Sequence, residues 1–444
     1  MHTIVDRLPD PGEKLGLAFS GGLDTRTAVA WLTKRGMNVY AYTADLGQPD
    51  EPNLCAVLAI AETHGAKVAR LIDAREALAR EGVVALACGA FFLQTAGRKY
   101  FNTTPLGRAV TATLIVRAMR EDGVNYFGDG STHRGNDIER FFRYGLLESE
   151  TLRIYKPWLD QAFVAELGGR TEMSQYLAQI GLPYGTTDEK AYSTDANMLG
   201  ATHEAKALEK LGVSMHVVDP IMGVAFWKRD VPIENETVEV SFARGMPFAL
   251  NGSTFSSLTE LIRQANQIAG RHGLGMSDQI ENRVIFAKSR GIYEAPAMAL
   301  LHIAYERLLS AIAPQNLLEL YETLGRKLGR WLYEGRWFDP EAELVKRALL
   351  ENIAALVTGT VTIELRRGDD YSIVATDCQV ATYDAERLSM ERTDGAFSPS
   401  DRIGQLHVGQ AAIHDARALR GALDRYDVLE LGESFGRGAG VRFR

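Results

Sequence analysis

The sequence predicts an α/β protein: a parallel sheet wrapped by helices, followed by an α+β region and a C-terminal tail. Three observations predict it. The N-terminal part alternates short apolar runs with amphipathic segments, the βαβα rhythm of a parallel sheet covered on both faces. From about Ile154 that rhythm gives way to hairpin patterns and a run of helices, which reads as α+β. At 444 residues the chain is also too long for one typical hydrophobic core, so two or three domains are expected. We place them at 1–175, 176–410 and 411–444.

Taken in order, Leu15–Phe19 is a continuous apolar run and reads as a buried strand. Ser20-Gly21-Gly22-Leu23-Asp24-Thr25 turns the chain into a helix that runs to Gly36. Asn38–Thr43 is the second strand, Leu54–His64 a helix and Lys67–Ile72 the third strand. Pro105–Arg120 is a helix with proline in its first turn, and Val124–Phe127 returns as a strand. Ligands of such sheets sit at the carboxyl ends of the strands, so the loops after Phe19, Thr43 and Phe127 matter most. Beyond them, Val238–Phe242 and Phe248–Leu250 alternate as a hairpin. Helices are expected at Leu258–Ile268, Gln279–Lys288, Pro296–Ile312, Asn316–Tyr333 and Glu341–Val357. Val361–Leu365 and Tyr371–Ala375 form a second hairpin. From Asp415 comes a short helical pattern, and Gly432–Arg444 is glycine-rich and basic.

Composition narrows the function classes. Forty-six per cent hydrophobic and 24% charged residues are ordinary for a soluble globular chain. Forty-nine basic against 57 acidic side chains leave a net charge of -8, which argues against a broad nucleic-acid surface. Cys55, Cys88 and Cys378 form no CxxC pair; a sparse, odd set fits a reducing compartment, and all three read as small buried hydrophobes. The polar N-terminus carries Pro9 and Pro11 and is no signal peptide. No apolar run reaches the roughly 18 residues a membrane helix needs, so a cytoplasmic protein without a membrane partner is expected.

The strongest local signal is Ala18-Phe19-Ser20-Gly21-Gly22-Leu23-Asp24-Thr25-Arg26. Two glycines after a strand permit a tight turn and close backbone approach. The following helix start offers unpaired N–H groups and a positive dipole end, which suit phosphate. Ser20 and Thr25 add hydroxyls, and Asp24 suits either magnesium or a helix cap. A ligand-free strand-to-helix turn would use the same residues. No Walker A loop exists, His203-Glu204 lacks the second histidine of a zincin motif, and the glycines at 436–440 neither follow a strand nor open a helix.

SGGLDT after a strand resembles the pyrophosphate-binding loop of the ATP pyrophosphatase superfamily. Further blocks narrow the resemblance to the argininosuccinate synthase family in its longer bacterial form. They are AYTADLGQPDEP (Ala41–Pro52), YFNTTPLGRAVT (Tyr100–Thr111), GDGSTHRGNDIERFFRYG (Gly128–Gly145), KAYSTDANMLGATHEAKALE (Lys190–Glu209), GRHGLGMSDQIENR (Gly270–Arg283) and KSRGIYEAPAMALLHIAYERL (Lys288–Leu308). The resemblance implies a nucleotide-binding domain of the adenine nucleotide α-hydrolase-like type, an α+β synthetase and multimerisation domain, and a C-terminal oligomerisation tail. It implies a ligase in arginine biosynthesis: citrulline attacks the α-phosphorus of ATP, giving citrullyl-AMP and pyrophosphate, and aspartate then displaces AMP. Mg2+ would accompany the nucleotide, no protein-held metal site is expected, and members are homotetramers.

By the same resemblance, Ala18 to Arg26, Ala44, Gly130, Thr132, Asp137 and Asp195 would contact ATP. Tyr100, Asn136, Arg140, Ser193, Thr202, Glu204 and Glu281 would contact citrulline, with Tyr293 as a further candidate. Thr132, Asn136 and Asp137 would contact aspartate. Citrulline needs donors and an acid, and the fork of Arg140 suits a carboxylate. Read without the resemblance, Asn136 and Asp137 could cap a helix, and Glu204 and Glu281 would be solvated helix-face acids. No side chain stands out as an acid or base, because attack on phosphorus depends mainly on positioning and charge. Arg26 departs from the family, which has serine there; it either reaches the triphosphate or points outward to a surface acid. Competing readings are an ATP pyrophosphatase acting on a citrulline analogue, a tRNA-thiolating or amidotransferase relative, and an inactive nucleotide binder. Paired cysteines, a basic surface and an N-terminal glutaminase cysteine are absent, which disfavours the thiolating and amidotransferase relatives.

Overall fold

A computed structural model describes residues 4–95, 98–185, 192–384 and 397–423. It divides into two compact units, Met1–Thr382 and Tyr383–Arg444. The first opens with β1 (Ile4–Val5), β2 (Lys14–Ala18), α1 (Leu23–Lys34), β3 (Asn38–Asp45), α2 (Leu54–Thr63), β4 (Val68–Asp73) and α3 (Arg75–Ala87). A small hairpin, β5 (Phe92–Thr95) and β6 (Arg98–Phe101), leads into α4 (Thr103–Glu121), β7 (Tyr126–Asp129), α5 (Asp137–Glu148) and β8 (Arg153–Tyr155). Then α6 (Gln161–Leu167) and α7 (Arg170–Gln179) follow.

Among the described residues these strands build a six-stranded, all-parallel sheet in the order β1-β8-β7-β2-β3-β4. Leu15, Leu17, Val39 and Ala41 are fully buried, as expected of central parallel strands covered on both faces. The rhythm read from the sequence is therefore the one that forms.

The remainder of the first unit contains β9 (Ser193–Asn197), β10 (Gly200–Glu204), β11 (Glu236–Ala243), β12 (Met246–Leu250), β13 (Ser253–Thr254) and α8 (Leu258–Gly270). These are followed by β14 (Met276–Asn282), β15 (Lys288–Glu294), α9 (Pro296–Ile312), α10 (Gln315–Tyr333), α11 (Pro340–Asn352), β16 (Gly359–Leu365) and β17 (Tyr371–Asp377). They make two antiparallel sheets, β14-β15-β10-β9 and β13-β12-β11-β16-β17. One hydrophobic cluster joins Leu78 and Leu106 on α3 and α4 to Leu261, Leu301 and Leu328 on α8 to α10. The second unit is described through α12 (Pro399–Leu423).

Several expectations are corrected. Gln279–Lys288 is not a helix: Met276–Asn282 and Lys288–Glu294 pair as antiparallel strands. Gln, Glu and Arg there favour a helix locally, but pairing with β15, itself held by β10, overrides that preference. The last helix of the first unit stops at Asn352 rather than Val357, and α12 begins at Pro399, well before Asp415. Of the cysteines only Cys88 is buried; Cys55 is exposed and Cys378 lies between. The glycine-rich stretch from Gly432 to Arg444 lies outside the described residues. No described helix is long and apolar enough to cross a membrane.

Candidate nucleotide and amino-acid site

The strand β2 ends at Ala18, and the chain must reverse into α1 within four residues. Gly21 makes this turn with φ +75, a left-handed value that suits glycine, and a Cβ there would press on Val57 at 3.2 Å. Gly22 occupies the cap position of α1 and makes no side-chain cap bond, so no side chain of the cap residue covers the helix start. Asp24 lies inside the first turn rather than capping it. Burial raises its pKa against the lowering pull of Arg170. Ser20 and Thr25 tie the loop together: Ser20 Oγ and Thr25 Oγ1 are 3.4 Å apart, and Thr25 donates to Gly22 O at 3.2 Å.

A cavity of about 470 Å3 opens here, where β2, β3 and β7 end. Ala18, Phe19, Ser20, Gly22, Asp24 and Thr25 line one wall; Ala44, Leu46, Leu54 and Val57 supply an apolar wall. Gly130 closes against the loop so tightly that a Cβ would meet Thr25 Cγ2 at 2.9 Å. Asp137 and Asp195 complete the lining. Thus ten of the residues expected to meet ATP share one cavity, whereas Gly21, Leu23, Arg26 and Thr132 do not line it.

Arg26 pairs with no surface acid among the described residues. Its Nε donates to the Gly21 carbonyl at 2.5 Å, and its guanidinium lies 5.1 Å from the Tyr184 ring centroid. It braces the turn from behind.

The second cluster follows from sheet register. Ser193 faces Glu204 and Asp195 faces Thr202 across β9 and β10, while Thr202 faces Tyr293 on β15. On β14, Glu281 faces Ser289 of β15, placing it in the same period-2 row. Five of the expected residues, Ser193, Asp195, Thr202, Glu204 and Glu281, therefore share one sheet face with Tyr293. Glu281 Oε1 accepts from Ser289 at 3.1 Å and Tyr293 at 3.4 Å, whereas its buried Oε2 has no partner. Arg283 reaches Glu204 at 3.4 Å, yet burial still leaves the Glu204 pKa raised.

The start of α5 joins cluster and cavity. Asn136 holds the cap position but makes no cap bond; it donates to Tyr333 Oη at 2.8 Å and accepts from Val284 N at 2.9 Å. Arg140, 3% exposed, donates to Tyr333 O and to Asp137 Oδ1, each at 2.9 Å, and its buried Nη2 has no partner. The Tyr100 ring packs edge-on against Tyr293 and Tyr333, at 5.0 and 5.1 Å. Its phenol pKa is driven up by burial and then by the Glu281 carboxylate. For Asp137 burial pushes upward, but Arg108 and Arg140 outweigh it and hold the carboxyl at about 2.

Three participants were missed from the sequence. Arg108 lines the cavity and donates to Asp137 and Asp195, each at 2.8 Å. Asp129 also lines it, buried in an ion pair with Lys156 while accepting from Ser131 N at 2.9 Å. Tyr333 closes the second cluster from α10. For Arg108 a signal existed: one charge in the otherwise uncharged stretch Thr103–Val116.

Two family models match this chain. The arginosuccinate synthase N-terminal HUP domain covers residues 14–183, and the arginosuccinate synthase C-terminal domain covers residues 192–413. The chain belongs to the argininosuccinate synthase family. It is a ligase that forms a carbon–nitrogen bond and uses ATP, and the family implies citrulline and aspartate as the substrates. The parallel sheet described above is the HUP domain. Two solved structures are distantly similar. One is a predicted tRNA methyltransferase subunit from Methanocaldococcus jannaschii, 13% identical, covering 38% of this chain and 89% of its own, with a TM-score of 0.24. The other is N5-carboxyaminoimidazole synthetase from Staphylococcus aureus complexed with ADP, 10% identical, covering 87% of this chain and 74% of its own, with a TM-score of 0.17. At such scores neither likeness bears on the site.

Proposed function

We propose that the cavity binds ATP, with its phosphates on the Ser20–Thr25 turn and its adenine against Ala44 and Leu46. In this reading the face bearing Thr202, Glu204 and Glu281 binds citrulline. Glu281 Oε2 takes the ammonium, and Arg140 Nη2 takes the carboxylate. Ser193, Tyr100 and Asn136 hold the rest of the molecule, while Thr132, Asn136 and Asp137 receive aspartate. The single observation that carries this is the shared pair Asp137 and Asp195: both line the cavity, and both tie into the amino-acid cluster through Arg140 and β9. A ureido oxygen in the cluster then faces the α-phosphorus in the cavity, and proximity does much of the work. Buried, oppositely charged atoms without partners are what a zwitterionic amino acid would satisfy.

Six carboxylates line a cavity that is to receive a polyanion, which supports Mg2+ entering with the nucleotide. Asp24, beside the phosphate turn, would help to hold it. Bound there, the ion would neutralise phosphate charge. The exposed apolar residues Ile403, Leu406, Val408, Ile413 and Leu419 on α12 support assembly into the family's homotetramer. We place the enzyme in the cytoplasm, with arginine biosynthesis.

Pyrophosphate release tests the reading. With ATP, citrulline should support release without aspartate up to the level of enzyme sites, and aspartate should make it catalytic. Release that is indifferent to citrulline, or that follows another ureido amino acid better, would replace the proposed acceptor.

A further inference from the structure

We infer that Arg108 is the cation that meets the α-phosphoryl group of the nucleotide, exchanging Asp195 for it when ATP binds. This rests on the proposed function, since it needs ATP in the cavity and citrulline in the cluster.

Among the described residues lining the cavity, Arg108 is the only Lys, Arg or His, set against Asp24, Asp50, Glu51, Asp129, Asp137 and Asp195. A ligand carrying a triphosphate therefore has one permanent cation to find among the described residues of the lining. The placement of Arg108 is built into α4. Its neighbour Gly107 lies close to β9: a Cβ there would stand 3.0 Å from Asn197 Nδ2, so the amide would have to give way to any larger residue. That approach brings the next residue, Arg108, to Asp195.

The guanidinium is largely buried, its side chain 20% exposed, and it is held in two directions: Nε to Asp137 Oδ2 and Nη2 to Asp195 Oδ2. Among the described residues Nη1 has no hydrogen-bond partner. Nη1 and Nη2 form the end of the fork, the edge that takes two oxygens of one phosphoryl group. Asp137 on Nε keeps the plane oriented, so releasing Asp195 alone frees that edge.

Position selects the α-phosphoryl. Asp195 stands in the row with Thr202 and Glu204, and Asp137 is also gripped by Arg140, so Arg108 lies where cavity and cluster meet. The reacting phosphorus must lie at the same junction. There the ureido oxygen forms a bond to the α-phosphorus. The bond from that phosphorus to the bridging oxygen breaks, its electron pair leaves with pyrophosphate, and no proton moves. Negative charge shifts onto the leaving oxygen and the equatorial oxygens, where a fixed guanidinium acts most strongly in the transition state.

The test uses the two diastereomers of ATPαS, which differ in which α-oxygen is sulfur. Citrulline-dependent pyrophosphate release by the unaltered enzyme comes first; its absence sinks the proposed function and this inference together. Given that release, Arg108→Lys keeps a cation between the two carboxylates, and its fold is checked by thermal melting. We expect its preference between the diastereomers to change by about tenfold or more, and Arg108→Gln to lose roughly 100-fold in kcat. A role confined to holding Asp137 and Asp195 would slow both diastereomers alike. An unchanged preference in Arg108→Lys, whatever its rate, overturns the inference; so does release by Arg108→Gln within about threefold of the unaltered enzyme.

Discussion

Replacing Glu281 with glutamine separates the needs of the ligand from those of the fold. In the free protein Glu281 Oε1 has two donors, Ser289 and Tyr293, but Oε2 is buried without one. Burying an unpartnered charged oxygen is costly, whereas glutamine has the same shape and no charge. Stability of the free protein should therefore not fall, and a gain of up to about 1 kcal/mol is expected, the low end of the cost of one unsatisfied polar atom. Binding changes in the opposite sense. If Oε2 receives the citrulline ammonium, the substitution removes a charge-assisted bond, typically about 1.5–3 kcal/mol. That corresponds to a citrulline KM raised about 10- to 150-fold. The assay is citrulline-dependent pyrophosphate release at saturating ATP, alongside chemical denaturation without ligand. A citrulline KM within about twofold of the unaltered value, or a clear drop in stability, would refute the assignment of Oε2 to the ligand.

Other perturbations have definite signs. Arg26→Ser should leave the ATP KM within about threefold, because Arg26 braces the Gly21 carbonyl rather than lining the cavity; a larger rise in steady-state assays would place it on the phosphates. Gly21→Ala forces a side chain into a left-handed turn at a cost of about 1–2 kcal/mol and should weaken ATP more than citrulline, measured by calorimetric titration of each. The Asp137 carboxyl, held at about 2, contributes stability that is present above its ordinary value near 3.8 and is lost as pH falls through about 2. Denaturation between pH 4 and 2 should therefore show a smaller pH slope in Asp137→Asn. Glu204 has the opposite sign: its raised pKa means that folding stability declines as pH rises from the ordinary carboxylate range through the raised value. Glu204→Gln should flatten that decline in a melting series.

The glycine turn after β2 was legible because its determinants are local: an apolar strand, two glycines, and a helix start lie within a dozen residues. The grouping of Glu204 with Glu281 was legible only through the family resemblance. Glu204 and Glu281 become neighbours because β10 and β14 both pair with β15, and that pairing leaves no mark in a window around Glu281. Local propensity there favoured a helix, and the fold overruled it. Arg108 stayed hidden for a related reason: its partners Asp137 and Asp195 are 29 and 87 residues away. Asp129 likewise gains its meaning only from Lys156, which β8 carries to the neighbouring strand end.

Oxygen tracing tests the chemistry most directly. Citrulline labelled with 18O in its ureido group is converted with ATP and aspartate, and the AMP and pyrophosphate are weighed by mass spectrometry. Direct attack on the α-phosphorus predicts one 18O in every AMP and none in pyrophosphate. Unlabelled AMP formed together with argininosuccinate would contradict it, and label in pyrophosphate would move the attack to a different phosphorus.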